Sequence, residues 1–181
     1  MMNEKDVAMA AFLLHFTTMK RAFLLRLALG LILTSSLPSC SSGFRSAWKA
    51  GGYVIAPNSI ITTQESIQNQ LPPSRWEGTW HSDASGHHGA LRCVTSSAIN
   101  IQGDHEFFYH ATWKKILSGS YKAVHTVKMQ KDGTYVFKGA HKMPKSLGGL
   151  YYYEGTIKGD EFKANYRCSM DNGTYTMKRV R

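Results

Sequence analysis

Four residues with metal-ligand chemistry crowd one short stretch: His81, Asp83, His87 and His88. Neutral imidazoles beside a carboxylate are a donor set that zinc and other divalent transition metals accept. In an extended chain adjacent His87 and His88 point to opposite faces, so only one of them can join His81. His81, Asp83 and His87 form the candidate metal site. Without a metal, the same residues make a turn whose histidines bond backbone groups, or a loop braced by His87 and Arg92.

Cys93 and Cys168 carry a second chemistry. Both fall on the apolar parity of their stretches. In an oxidising compartment a pair left in a small domain forms a disulfide, provided their Cα atoms come within about 7 Å. The alternative is two buried free thiols. Tyr109, Trp113, His125 and Tyr166, with the Tyr151-Tyr-Tyr153 run, are the candidate lining of a ligand cavity, although aromatics pointing into a small β domain also serve as its packed core. A run of lysines, relieved only by Asp132, extends from Lys114 to Lys145. Its members Lys114, Lys122, Lys128 and Lys138 are candidates to meet an anionic surface, set against the plainer reading of a solvated face with edge-protecting lysines.

No catalytic arrangement stands beside these groups. There is no nucleophile elbow, Gly-rich phosphate loop or HExxH pair, and carboxylates are scarce. The expectation is a protein without enzymatic activity and without a cofactor. A metal-dependent enzyme at His81 and His87 is the remotest reading.

The formal net charge of +10 selects anionic partners. The leader contributes little of it, since residues 1–40 set Lys5, Lys20, Arg21 and Arg26 against Glu4 and Asp6. Within that leader, Met19-Lys20-Arg21 and the short apolar run from Ala22 to Leu33 read as the charged and hydrophobic regions of a signal peptide, with Met19 as the expected true start. The run is shorter than the about 20 residues that a spanning helix requires.

Leu37-Pro-Ser-Cys40 closes the leader and resembles the lipobox of bacterial lipoproteins. That resemblance implies a diacylated Cys40 as the mature N-terminus. Ser41, where an aspartate would retain the protein at the inner membrane, implies an outer-membrane address facing the periplasm. An envelope address excludes nucleic acid as the partner of the positive charge. If the segment is merely secretory or uncleaved, Cys40 is incidental. Residues 41–74 are Ser/Gly-rich and then polar, so they are expected to be a flexible tether. Ile60, Ile61 and Ile67 are the residues there that could dock as a short helix.

From residue 75 onward the pattern changes to alternating strands. Trp76, Gly78 and Trp80 share one parity and Glu77, Thr79 and His81 the other. Strands are predicted over 75–82, 89–97, 105–115, 120–131, 134–142, 150–158, 161–169 and 174–179, separated by turn-forming pairs such as Ser118-Gly119, Asp132-Gly133 and Gly159-Asp160. Eight short strands without helical stretches between them predict an all-β, antiparallel up-and-down barrel, with a two-sheet sandwich as the alternative. The domain plan is therefore a signal peptide over 1–40, a tether over 41–74 and a barrel over 75–181.

Gly78-Thr-Trp80 on the first strand and Arg179 on the last resemble the Gly-x-Trp and C-terminal arginine of the calycin barrels, which include lipocalins and avidins. The resemblance implies that the tryptophan packs across one barrel end beneath the arginine. The lipocalin Thr-Asp-Tyr motif is missing, and the biotin-contacting residues of avidins have no counterparts, so neither ligand is implied. Trp76-x-Gly-x-Trp80-x-Ser82, Gly86-His-His-Gly-x-Leu-Arg92 and Phe162-x-Ala-x-Tyr166 are also similar to small domains of uncharacterised bacterial lipoproteins, which imply no function.

Two expectations follow for function. One is a lipid-anchored barrel that binds an apolar or amphipathic ligand, such as a lipid or other small molecule, or an anionic envelope component such as a glycan. The other is a structural or protein-interaction module with a filled core that works through its lysine-rich face.

Overall fold

Strict alternation of large apolar and polar side chains, broken at Gly- and Asp-containing turns, is what closes this chain on itself. A computed structural model describes residues 39–53, 70–113 and 117–181. By compactness the chain divides into Met1–Pro38 and Ser39–Arg181. The segment expected to be a signal peptide lies outside the described residues as far as Pro38, Met19 included.

The strands are β1 (Ser74–Ser82), β2 (His88–Ala98), β3 (Asp104–Trp113), β4 (Leu117–Met129), β5 (Tyr135–Lys142), β6 (Leu150–Lys158), β7 (Glu161–Arg167) and β8 (Asn172–Val180). Each pairs antiparallel with the next, and β8 pairs with β1, giving a closed eight-stranded up-and-down barrel. All eight predicted strands are present, and the sandwich alternative is not adopted. Turn chemistry supports the hairpins: Gly133 and Gly159 take φ of 77° and 57°, a region that costs glycine nothing. Gly78 has a different role. A Cβ there would sit 2.0 Å from the Thr176 carbonyl oxygen, so the β1–β8 seam closes only because residue 78 has no side chain.

The interior is packed from end to end. Trp76, Phe107, Tyr109, His125, Phe137, Ile157, Phe162 and Met177 are all fully buried there. At the end where β1 begins, Leu71 is buried in this core, and the Tyr135 hydroxyl donates to the Gln70 carbonyl at 3.2 Å. The chain entering β1 thus plugs that end. At the other end the aromatic residues carry hydroxyls, and the mouth is a ring of tyrosines.

Part of the segment expected to be a tether is helical. Ser39–Lys49 forms helix α1 on the outer wall of the barrel. Phe44 is buried there with Val94 and Phe108, making an edge contact with Phe108 at 5.2 Å and stacking on His110 at 5.0 Å. Trp48 lies one turn on, under the guanidinium of Arg92 at 5.1 Å. Phe44 and Trp48 are four residues apart and share a helix face, a spacing that is visible in the sequence. Beyond the helix, Tyr53 bridges to Ser96, and its hydroxyl donates to the Glu106 carboxylate. Cys40 falls in the first turn of α1. Its side chain lies outside the described residues, as do Ile60, Ile61 and Ile67. Among the described residues no helix is long and apolar enough to cross a membrane.

Candidate functional site

The residues expected around one cavity occupy three different places. Tyr109 and His125 belong to the sealed core, not to a cavity. His125 lies within 4.6 Å of Phe107 and 5.3 Å of both Phe137 and Tyr153, measured between ring centres. Its Nε2 meets the Tyr109 hydroxyl at 3.2 Å, while its Nδ1 has no hydrogen-bond partner. Burial drives the His125 pKa down to about 3, with the neighbouring His141 adding to the shift, so the ring is neutral.

Tyr166 is nearer the mouth and donates to Asp171 at 3.0 Å. Asp171 in turn accepts from the Ser82 hydroxyl at 2.6 Å. Trp113 stands on the rim, 41% exposed, edge-on to Trp80 at 5.6 Å. These four of the residues expected around one cavity are therefore spread from core to rim. The physical cause is the width of an eight-stranded barrel, which inward aromatics fill.

Of the residues at the mouth, Tyr166 and the Tyr151-Tyr-Tyr153 run were expected as cavity lining, whereas Tyr121, Tyr175 and His141 were not. Tyr121 and Tyr175 share a hydrogen bond at 3.0 Å, Tyr153 reaches Tyr121 at 3.4 Å, and His141 stacks on Tyr121 at 5.4 Å. Tyr151 donates to the Leu147 carbonyl at 2.8 Å. Desolvation raises the pKa of these phenols, to about 12 for Tyr153, so they act as neutral donors and acceptors. The signal for the missed tyrosines was the inward parity of Tyr121 and Tyr175. Such a ring can stack and hydrogen-bond.

Arg179 closes the opposite end, but over a different tryptophan from the one expected. Its guanidinium lies 4.7 Å from the Trp76 ring, and Trp76 pairs with Arg179 across the seam. Nη1 donates to the Ser74 hydroxyl at 2.9 Å and Nη2 to the Gly159 carbonyl at 3.2 Å. Trp80, four residues along β1, lies toward the mouth and donates to the Thr112 carbonyl at 3.0 Å. Both tryptophans point inward, and the β1–β8 register decides which meets the arginine.

Cys93 and Cys168 are free. Cys93 is buried in β2 and burial raises its pKa, whereas Cys168 follows β7 at the mouth, where its Sγ accepts from the Met170 amide at 3.5 Å. Strands two and seven are not neighbours, so the expected disulfide does not form. Nor do the hairpin histidines converge: among the described residues no three metal-ligating side chains cluster. His81 Nδ1 meets Asp83 at 3.3 Å on the surface, and His88 Nδ1 lies 3.4 Å from the Gly86 carbonyl. His87 is not part of that contact.

The lysine face is divided. Lys122 is held by Glu106 at 2.8 Å and lies over Tyr53 and Phe108, so it helps fasten the segment after α1 to the wall. Lys128 and Lys138 are exposed on β4 and β5 beside Val136, lining a shallow outer cleft. Lys114 lies outside the described residues. A second outer cleft, lined by Gly148, Gly149, Leu150, Tyr152, Arg167, Cys168 and Ser169, lies at the mouth end.

No protein family, curated protein or solved structure matches this chain.

Proposed function

We propose that this chain is a lipid-anchored protein of the bacterial envelope whose barrel works as a non-enzymatic interaction module through its outer surface. The observation that carries this reading is the filled interior. Phe107, Phe137, Phe162 and Tyr109 pack at a tilt across the barrel with centre-to-centre distances of 5.1 to 6.2 Å, occupying the volume that a carried ligand would need. The anchor rests on the lipobox-like Leu37-Pro-Ser-Cys40, and the choice of anionic envelope components as partners rests on the +10 charge. The likeness to calycins stays at the level of barrel closure by an arginine over a tryptophan.

A second reading is favoured by the half-buried Tyr121, Tyr151 and His141 at the mouth. There an amphipathic small molecule would stack on rings and bond to phenols without entering the core.

Native mass spectrometry of the full chain, compared with its denatured mass, separates the two. The interaction-module reading expects no adduct released on denaturation, with any diacylglyceryl mass retained covalently. Release of a small molecule overturns it in favour of the mouth. A Cys40→Ala chain that still carried the lipid mass would refute the anchor.

A further inference from the structure

The two ends of the barrel differ in charge chemistry. At the plugged end two of the three turns carry a carboxylate matched to a cation: Asp132 holds Lys158 at 2.8 Å, and Asp160 holds Arg181 at 2.7 Å. The third, 99–103, exposes Ile101 by 74% with no ion pair of its own among the described residues. The mouth end is different. Leu147, Leu150, Tyr152 and Met170 are exposed there, Tyr152 by 47% and Met170 by 54%. The segments that carry them are joined: Leu150 pairs with Lys142, Tyr152 pairs with Arg167, and the Ser169 hydroxyl ties the turn before Met170 to the Gly148 carbonyl at 2.9 Å. Lys142, Lys145 and Arg167 surround these side chains, and among the described residues no carboxylate pairs with any of the three. Arg167 lies instead over the Tyr152 ring at 5.2 Å. The nearby Asp171 is occupied by Ser82 and Tyr166.

Helix α1 points the same way. Phe44 stacks on His110, near the mouth end of β3, while Tyr53, after the helix, meets Ser96 toward the plugged end. The first turn of α1, with Cys40, therefore lies toward the mouth, about 6 Å beyond Phe44 at 1.5 Å per residue. Its wall, β2 to β4, faces β6 and β7 across a barrel of eight strands. Anchor and apolar-basic patch thus stand on opposite sides of one end.

We propose that the mouth end of the barrel lies against an anionic phospholipid surface, with Leu147, Leu150, Tyr152 and Met170 in the headgroup boundary and Lys142, Lys145 and Arg167 on the phosphates. Apolar and aromatic side chains interleaved with unpaired cations are the composition that such an interface takes. The orientation rests on the proposed anchor at Cys40; the patch does not.

The test is hydrogen exchange of the full chain reconstituted in vesicles of phosphatidylglycerol with phosphatidylethanolamine, compared with vesicles of phosphatidylcholine alone. Amides of 143–150 and 168–171 are expected to slow several-fold on the anionic vesicles only, while the plugged-end turns 99–103, 130–134 and 159–160 do not change. Raising the salt to about 1 M, where the screening length falls to about 3 Å, should reduce the slowing. Lys145→Gln should weaken docking about fivefold, and Leu150→Glu with Met170→Glu should abolish it, with exchange in the core strands unaltered as the check on folding. Equal exchange on both vesicles, slowing at the plugged end, or slowing that survives the glutamate pair overturns the proposal. The intact mass of the same sample reports acylation, so failure of the anchor is read separately from failure of docking.

Discussion

A neutral histidine sealed among aromatic rings makes stability depend on pH in a defined direction. His125 is fully buried, and burial holds its pKa at about 3 against an ordinary 6.5. Above pH 6.5 the ring is neutral in both folded and unfolded chains and adds no pH dependence. Between 6.5 and about 3 only the unfolded chain takes the proton, so folding loses stability as pH falls, with the loss complete below the folded pKa. At about pH 5 the loss from this one site is about 2 kcal/mol. His105, His110 and His141 are also shifted down by burial and add losses of the same sign, so a difference between variants is needed to isolate His125. His125→Gln keeps a side chain able to meet the Tyr109 hydroxyl and cannot titrate. Urea unfolding at about pH 7.5 and about pH 5 should show the parent losing about 2 kcal/mol more than the variant, or about 1 M in midpoint for an m-value of about 2 kcal/mol/M. Parallel losses in the two proteins would refute the reasoning and mean that the imidazole is protonated inside the fold.

Three further outcomes are expected. Arg179→Lys loses the fork that bonds Ser74 and Gly159 and most of the contact with Trp76, costing about 1–3 kcal/mol in urea unfolding; an unchanged midpoint would show that the plugged end is held without it. Phe44→Ala should release α1 from Phe108 and His110, which trypsin would report as faster cleavage after Arg45 and Lys49 with the barrel intact; unchanged cleavage would place the docking energy elsewhere. In the native protein Cys168 should react with a thiol reagent ahead of Cys93, and the unfolded, unreduced chain should yield both; a missing pair of thiols would restore the disulfide.

Much of the barrel could be read from local pattern. The alternation of Phe162, Ala164 and Tyr166 with Lys163 and Asn165 defines β7 and its inward face within five residues. The Asp132-Gly133 turn defines the hairpin between β4 and β5 because glycine alone takes its backbone angle without strain. Helix α1 was partly legible too, in the four-residue spacing of Phe44 and Trp48, but Ser- and Gly-rich neighbours masked it. A helix this short is held by the wall it packs on, not by its own propensity.

By itself, then, the sequence determined the strands, their faces, the turns between them and the basic charge, since each depends on residues a few positions apart. Tertiary structure alone decided what those faces do. Trp76 and Trp80 share a parity, and only the pairing of β1 with β8, about a hundred residues away, puts Arg179 over the first and leaves the second toward the mouth. The same closure seals His125 and Tyr109 into a core rather than a cavity and keeps Cys93 apart from Cys168. It gathers Leu150, Tyr152, Arg167 and Met170 at one end of the barrel. Such contacts depend on the barrel's circumference and register, which no local stretch of sequence encodes.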